Sequence, residues 1–190
     1  MKTFRKIISL VPLLVLWLMF SIILWGFVFN LITDVPPEKK IALYADAETP
    51  GATQLAVMLE DKLNGKVRMV KVRSFDYAMF DTGALTAADL YIVPASHAET
   101  YLEWFAPVPQ EMQEESGLLM LDGIPYGMLA YDADTGKGIA ADCIRYASAD
   151  GEKEDYYLFF GKESLHLPDN ENAVDGAAVD AARCLLDLYK

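Results

Sequence analysis

The chain predicts an α/β protein: an N-terminal transmembrane helix followed by one three-layer α/β domain with a mostly parallel sheet. Three observations lead there. Residues 7–32 hold no charged side chain, and Lys2, Arg5 and Lys6 stand immediately before them. Beyond that run, short apolar strand-like stretches alternate with segments of helical periodicity, the pattern of a sheet covered on both faces. Roughly 155 residues follow the run, enough for one domain with a sizeable core.

The apolar run, IISLVPLLVLWLMFSIILWGFVFNLI, is polar only at Ser9, Ser21 and Asn30. A bilayer core about 30 Å thick takes roughly 20 helical residues, so the run is long enough to span with some tilt. Pro12 falls near its start, at a first turn or a mild kink. A cleavable signal peptide would carry an apolar stretch of about 7–15 residues and then a small-x-small site. The stretch Phe29-Asn30-Leu31-Ile32-Thr33-Asp34 offers no such site, and the segment reads as an uncleaved signal anchor. Basic residues before it and Asp34 after it place the N-terminus in the cytoplasm by the positive-inside rule. The expected organisation is a cytoplasmic N-terminus (1–6), a single transmembrane helix (7–32), a linker (33–40) and an extracytoplasmic α/β domain (41–190) held at the cell membrane. Pro36-Pro37 makes the linker short and stiff.

All 28 acidic residues lie beyond the run, while three of the 16 basic ones precede it, so the domain is more acidic than the overall net charge of −12. Such a charge favours solubility and argues against nucleic acid or anionic headgroups as partners. Only Cys143 and Cys184 are present. An oxidising compartment permits a disulfide between them; two buried thiols are the alternative. The two histidines lie far apart and no paired-cysteine spacing occurs, so no zinc site, other metal or cofactor is expected.

Ile41–Tyr44 read as a buried strand, and Gly51–Leu63 as a helix with Ala52, Leu55, Ala56, Leu59 and Leu63 at helical spacing after Pro50. Val67–Val72 read as a second strand. Its Arg68 and Lys71, with Arg73 just after, keep an edge or half-exposed strand from pairing with other chains; an anion site is the alternative. Asp76–Asp81 suggest helical turns, Leu90–Val93 a third strand and Ala98–Phe105 a helix. After Pro109 the pattern changes: PQEMQEESG is a polar loop, Ile124–Tyr131 look extended, and Ile144–Ala147 and Asp155–Phe160 suggest two strands around a turn at Ser148–Glu154. A last helix is expected over about Asn172–Leu188.

Catalytic signals are poor, and an enzyme is not expected. Ser96 and His97 are neighbours in sequence, which does not give the nucleophile–base geometry of a triad. There is no glycine-rich phosphate loop and no nucleophile elbow. Asp132-Ala133-Asp134-Thr135-Gly136 has alternate aspartates like a calcium loop but lacks glycine at its sixth position and the distal glutamate; a hairpin turn accounts for it.

The series KIALYADA, a helix, VRMVKVRSF, ALTAADLYIVP, YLEWFAPVP, DGIPYGMLAYD and YYLFFGKESLHL resembles the first lobe of bacterial extracellular solute-binding proteins over roughly residues 40–167. The matching features are Ala87-Ala88-Asp89 leading into an apolar strand, the Gly-x-Pro-Tyr-Gly type of segment at 123–127, and the tyrosine-bearing strand ending in Gly161-Lys162. The resemblance implies a single-lobe, membrane-anchored relative that binds without catalysis. Its partner is expected to be a small solute or another envelope protein, the alternative being a structural module of a membrane complex with no small ligand. That family holds its ligand between two lobes and is anchored by a lipid-modified cysteine, so the transport role itself does not carry over. Open parallel sheets place ligands beyond the carboxyl ends of their strands. The candidate ligand residues are therefore Asp46 and Thr49 after the first strand, Ser74 and Phe75 after the second, and Ser96 and His97 after the third, with Tyr126 approaching the same edge. Thr49 and Ser74 have a second reading as helix caps.

Overall fold

The computed structural model describes residues 2–33, 35–75, 85–146, 153–168 and 174–189. The expected turns at 76–81, the turn at 148–152 and the start of the last helix at 172–173 lie outside the described residues. The chain divides into two compact units, Met1–Val35 and Pro36–Lys190. The first is a single helix, α1 (Lys2–Thr33), which continues through Pro12. Its stretch from Pro12 to Phe29 has a mean hydropathy of 2.3 and is long and apolar enough to cross a membrane. Trp17, Leu16 and Ile23 are among its exposed side chains, as suits a helix solvated by lipid.

The second unit opens with a 3-10 turn at Pro37–Lys39 and enters β1 (Lys40–Ala45). Then follow α2 (Ala52–Lys62), β2 (Met69–Ser74), β3 (Leu90–Pro94) and a single turn of helix, α3 (Ala95–Ala98). After β4 (Phe105–Ala106) come β5 (Leu118–Leu121), β6 (Ile124–Asp132), β7 (Lys137–Gly138), β8 (Tyr156–Gly161) and α4 (Ala177–Leu186). The sheet order is β2-β1-β3-β8-β6-β5, with β4 beside β8 and β7 beside β6.

Two corrections to the expected fold follow. The sheet is mixed rather than mostly parallel: β1 is parallel to β2 and to β3, whereas β8 is antiparallel to both β3 and β6, and β6 to β5. A parallel return needs a crossover of a dozen or more residues. The β5–β6 connection is only Asp122-Gly123, with φ values of 50° and 79°, the left-handed pair that a tight hairpin turn requires. The second correction concerns layers. Helices α2 and α4 pack on the same sheet face, where Leu55, Leu59, Ala181 and Leu185 join Ile41, Leu43, Val70, Leu90, Ile92 and Leu158. The other face is covered, among the described residues, by aromatic side chains on short turns: Phe75, Tyr101 and Phe105 lie over Tyr44, Tyr91 and Phe159. The helix expected at Ala98–Phe105 is instead α3, a 3-10 turn at Leu102–Trp104 and β4. Its apolar spacing arises because Tyr101 and Phe105, both 3% exposed, plug the sheet; Phe105 stacks on Phe159 at 4.1 Å. Ile144–Ala147 give no strand among the described residues; Arg145 makes an isolated bridge to Glu48.

Gly161 is fixed by close approach. A Cβ there would lie 1.8 Å from the Ala88 carbonyl oxygen, because its N–H bonds the Asp89 carbonyl at 2.9 Å where the chain enters β3.

Candidate functional site

Because β1 is parallel to both neighbours, with Ala45 opposite Ser74 and Ile92, the residues that follow the three strands emerge at one edge. Asp46 is held there by its N–H, which bonds the Ile92 carbonyl at 2.8 Å. His97, in α3, turns back so that its Nδ1 meets Asp46 Oδ2 at 2.7 Å. A nitrogen facing a carboxylate at that distance is the donor, so Nδ1 carries the proton and Nε2 points away from the dyad. Among the described residues Nε2 has no protein hydrogen-bond partner, and the His97 side chain is 44% exposed. Tyr101 supports the ring edge-on at 5.7 Å and touches Phe75 in the same manner at 6.1 Å.

Thr49 and Ser74 meet through their hydroxyls at 2.9 Å, and the Thr49 N–H donates to Ser74 Oγ at 3.2 Å. Thr49 does not cap α2, whose N-cap is Gly51 without a side-chain bond, and instead bridges the β1 and β2 loops through Ser74; the helical turns that Ser74 was expected to cap lie outside the described residues. The Ser96 N–H donates to Glu154 Oε2 at 3.2 Å, since antiparallel β8 begins at the edge where β3 ends. Six of the seven expected residues thus share one edge. Tyr126 does not. It sits near the start of β6, where Gly127 opposes Phe159 and Leu90 opposes Phe160, at the far end of the sheet and packed on the aromatic face.

The two thiols are not bonded to each other. Cys143 lies against Gly51 at the start of α2. Cys184 lies near Lys62 at the other end of α2, and its thiol is pushed up by burial, an effect that Lys62 opposes. The 11 residues of α2 separate them by about 16 Å at 1.5 Å rise, well beyond bridging range.

A buried polar cluster at the amino end of the parallel strands went unread in the sequence. Asp89, Ser164 and His166 are each 4% exposed or less. Asp89 Oδ2 accepts the Ala42 N–H at 2.7 Å and Oδ1 accepts the Ser164 hydroxyl at 2.6 Å; the His166 N–H donates to Ser164 Oγ at 3.1 Å. His166 Nδ1 meets Asp175 Oδ1 at 2.7 Å, while Nε2 lies 3.2 Å from the Pro37 carbonyl and 3.1 Å from that of Lys40. Both ring nitrogens therefore face acceptors, and only the imidazolium satisfies all of them. Burial pulls its pKa down, but the Asp175 bond, the Asp89 charge and the Pro37 carbonyl outweigh it and leave the value raised. Asp175 is the mirror case: burial lifts its carboxyl, and His166 with the Ala177 N–H brings it below its ordinary value. The signal available in the sequence was Asp89, an acid placed directly before the fully apolar strand Leu90–Pro94, where it has to be satisfied by buried donors.

Asp132-Ala133-Asp134-Thr135-Gly136 forms a tight turn into β7. Asp132 Oδ1 accepts the N–H groups of Asp134 and Thr135 at 2.9 and 3.1 Å, and Gly136 takes φ 70°, an Asx-type hairpin turn.

No family model and no curated protein matches the chain. A solved structure, thiaminase I from Bacillus thiaminolyticus, is similar over 48% of this chain and 28% of its own, at 11% identity and a TM-score of 0.35.

Proposed function

We propose that the chain is a membrane-anchored, non-catalytic binding protein whose domain faces out of the cytoplasm and takes a small solute at the carboxyl edge of β1, β2 and β3. The observation that carries this reading is the Asp46–His97 dyad, which presents an oriented Nε2 without a protein partner among the described residues, at the same sheet edge as the paired hydroxyls of Thr49 and Ser74. Convergence of polar groups on such an edge is the arrangement by which open α/β sheets hold ligands, and it agrees with the resemblance to a solute-binding lobe. Binding is favoured over catalysis because the dyad's described partners are a carboxylate and the Tyr101 ring, with no hydroxyl or thiol nucleophile bonded to it. The outward orientation rests on Lys2, Arg5 and Lys6 preceding α1.

The test is thermal denaturation of the full-length chain in nonionic detergent against sugars, amino acids, peptides and divalent ions. A ligand at a hundred times its Kd adds about 2.7 kcal/mol, a rise of roughly 5–11 °C at this size. His97→Ala should abolish that rise. A flat response across all classes from a cooperatively melting protein refutes the solute reading. A C-terminal alkaline phosphatase fusion tests orientation: activity is expected, and silence reverses the topology.

A second reading, docking of an envelope protein, is favoured by one feature. Edge strand β2 carries Lys71 and Arg73, but the opposite edge, β5, is Leu118-Leu119-Met120-Leu121 with Met120 52% and nearby Ile124 44% exposed. Edges are normally guarded by charge, and an unguarded one accepts an added strand.

A further inference from the structure

We propose that the solute taken at the carboxyl edge is a small protonated primary amine, held by Asp46, His97, Glu154 and the hydroxyl of Tyr156. The inference deepens the binding reading above and rests on it, because it names the ligand class of that same edge. The groups presented there accept hydrogen bonds and hold negative charge. Asp46 gives only Oδ2 to His97 Nδ1, and Glu154 gives only Oε2 to the Ser96 N–H. Neighbouring residues of α3 thus fix the two carboxylates, and neither Asp46 Oδ1 nor Glu154 Oε1 has a hydrogen-bond partner among the described residues. With the proton on Nδ1, His97 Nε2 is a lone-pair acceptor as well. An ammonium group brings donors and no acceptor, and its hydrogen bonds to carboxylates are charge-assisted.

An independent observation points to a ligand. Tyr156 stands opposite Pro94 at the end of β3 and is 1% exposed, yet its hydroxyl makes no hydrogen bond among the described residues. No buried side-chain oxygen or nitrogen among them lacks a partner, so the hydroxyl is the part of Tyr156 that reaches solvent. Its pKa is pushed up to about 12, by burial first and then by the Glu154 and Asp46 charges, so its open end lies in the field of the two carboxylates. It bonds neither of them, which leaves room for an N–H donor to bridge the gap. The ring is fixed edge-on by Tyr146 at 5.2 Å and by Tyr131 at 6.2 Å, so little freedom is lost when a ligand binds.

Charge and spacing select the class. Arg145 is bonded to Glu48 at 2.8 Å, which neutralises that pair. Of the remaining described residues at this edge, Asp46, Glu154 and Asp155 outnumber Arg73 and Lys153, both of which are exposed. The adjoining β6–β7 turn adds Asp132 and Asp134 against Lys137. The edge is therefore negative and repels an anion. Among the described residues no three acidic, histidine or cysteine side chains group as metal ligands, so the cation that fits carries its own N–H donors. Solvation of an acidic domain explains exposed carboxylates; it does not explain a buried phenol left open beside two of them, each held through one oxygen.

The experiment is isothermal titration of the full-length chain in nonionic detergent at fixed ionic strength. The probes are putrescine and benzylamine, with succinate as the charge-reversed control and tetramethylammonium as a cation without N–H donors. Saturable binding of at least one amine is expected, with none of succinate and about tenfold weaker binding of tetramethylammonium. Tyr156→Phe removes one oxygen that bonds nothing in the protein and should weaken amine binding about tenfold. Glu154→Gln keeps an acceptor for the Ser96 N–H and should weaken it at least as much, whereas Asp61→Asn, at the other end of α2, should not. Melting curves of the unliganded variants within about 2 °C of the parent show that folding is held. The proposal is overturned if neither amine saturates, if succinate or tetramethylammonium binds as well as the amines, or if either Tyr156→Phe or Glu154→Gln binds like the parent. Should the amines fail while another solute class raises the Tm through His97, the amine assignment falls and the binding reading stands; no response from any class removes both.

Discussion

His166 is the residue whose loss the fold should feel most through polarity rather than volume. Its ring ties the segment after β8 to two distant parts of the chain, the Pro37 and Lys40 carbonyls before and in β1 and Asp175 ahead of α4, while its backbone N–H bonds Ser164 Oγ. His166→Ala leaves two carbonyls and a carboxylate without their charged donor. Removing one member of a buried ion pair costs about 3–5 kcal/mol. Asp175 is about a third exposed and water takes up part of the loss, so the lower figure, about 3 kcal/mol, is expected. For a domain of this size that is roughly 6–12 °C in Tm. The pH dependence has a definite sign. Because the folded His166 pKa lies above the ordinary histidine value of 6.5, its contribution is complete below pH 6.5 and disappears as pH rises through the folded value. Asp175 works oppositely: its folded pKa lies below 3.8, so its contribution is present above that pH and lost as pH falls through the folded value. Calorimetry of the parent and the variant from pH 5 to 10 reads the His166 effect. The parent's Tm should decline on the alkaline side and the gap between the two proteins should narrow. A constant gap across that range, or a gap under 2 °C at pH 6, refutes the charged assignment. Since the chain has only 2 histidines, the His166 titration can also be followed directly by NMR.

Three further outcomes are expected. Gly161→Ala places a methyl on the Ala88 carbonyl and should cost more than about 3 kcal/mol, read as a lowered Tm or loss of soluble protein; a shift under 1 °C contradicts the packing of β8 on the β3 entry. Reductant should leave the Tm unchanged, because Cys143 and Cys184 sit at opposite ends of α2; a drop of several degrees on adding dithiothreitol would show that they are linked. Ser74→Ala should cost about 0.5–1 kcal/mol, and a double-mutant cycle with Thr49→Val should show coupling through the 2.9 Å hydroxyl contact; strict additivity contradicts it.

The half of the fold legible in the sequence is the half governed by local pattern. Leu55, Leu59 and Leu63 announce α2 by spacing alone, and the uninterrupted LYIV of β3 announces a strand buried on both faces. The reading failed where one signal served two causes. Tyr101 and Phe105 are four apart, a helical interval, yet they converge because a 3-10 turn and a short strand bring both rings onto the sheet. Leu118–Leu121, which form β5, carry no assignment in the sequence reading, although Asp122-Gly123 directly after Leu121 is a strong hairpin signal. Reading that turn would have supplied both the missing edge strand and the antiparallel half of the sheet.

The candidate sites divide along the same line. Parallel pairing of β1 with both neighbours needs no knowledge of the rest of the sheet to bring Asp46, Ser74 and His97 to one edge, so the carboxyl-end rule located them from strand positions. Tyr126 failed the rule because its strand enters at the edge where the parallel strands begin, a consequence of the unread hairpin. The amino-end cluster lay beyond any such rule. Asp89 and His166 meet only through Ser164, after β8 has crossed back beside β3, and Asp175 joins them from the approach to α4. Its members are spread from β1 to the C-terminal helix, and only the return of β8 closes the distance. The chain thus builds one polar edge by local rule and one polar cluster by long-range closure. The second should be the more sensitive to mutations in the antiparallel half: His97 and Asp46 are exposed enough that His97→Ala should cost under about 1 kcal/mol, whereas any change that shifts β8 moves Ser164 and His166 together.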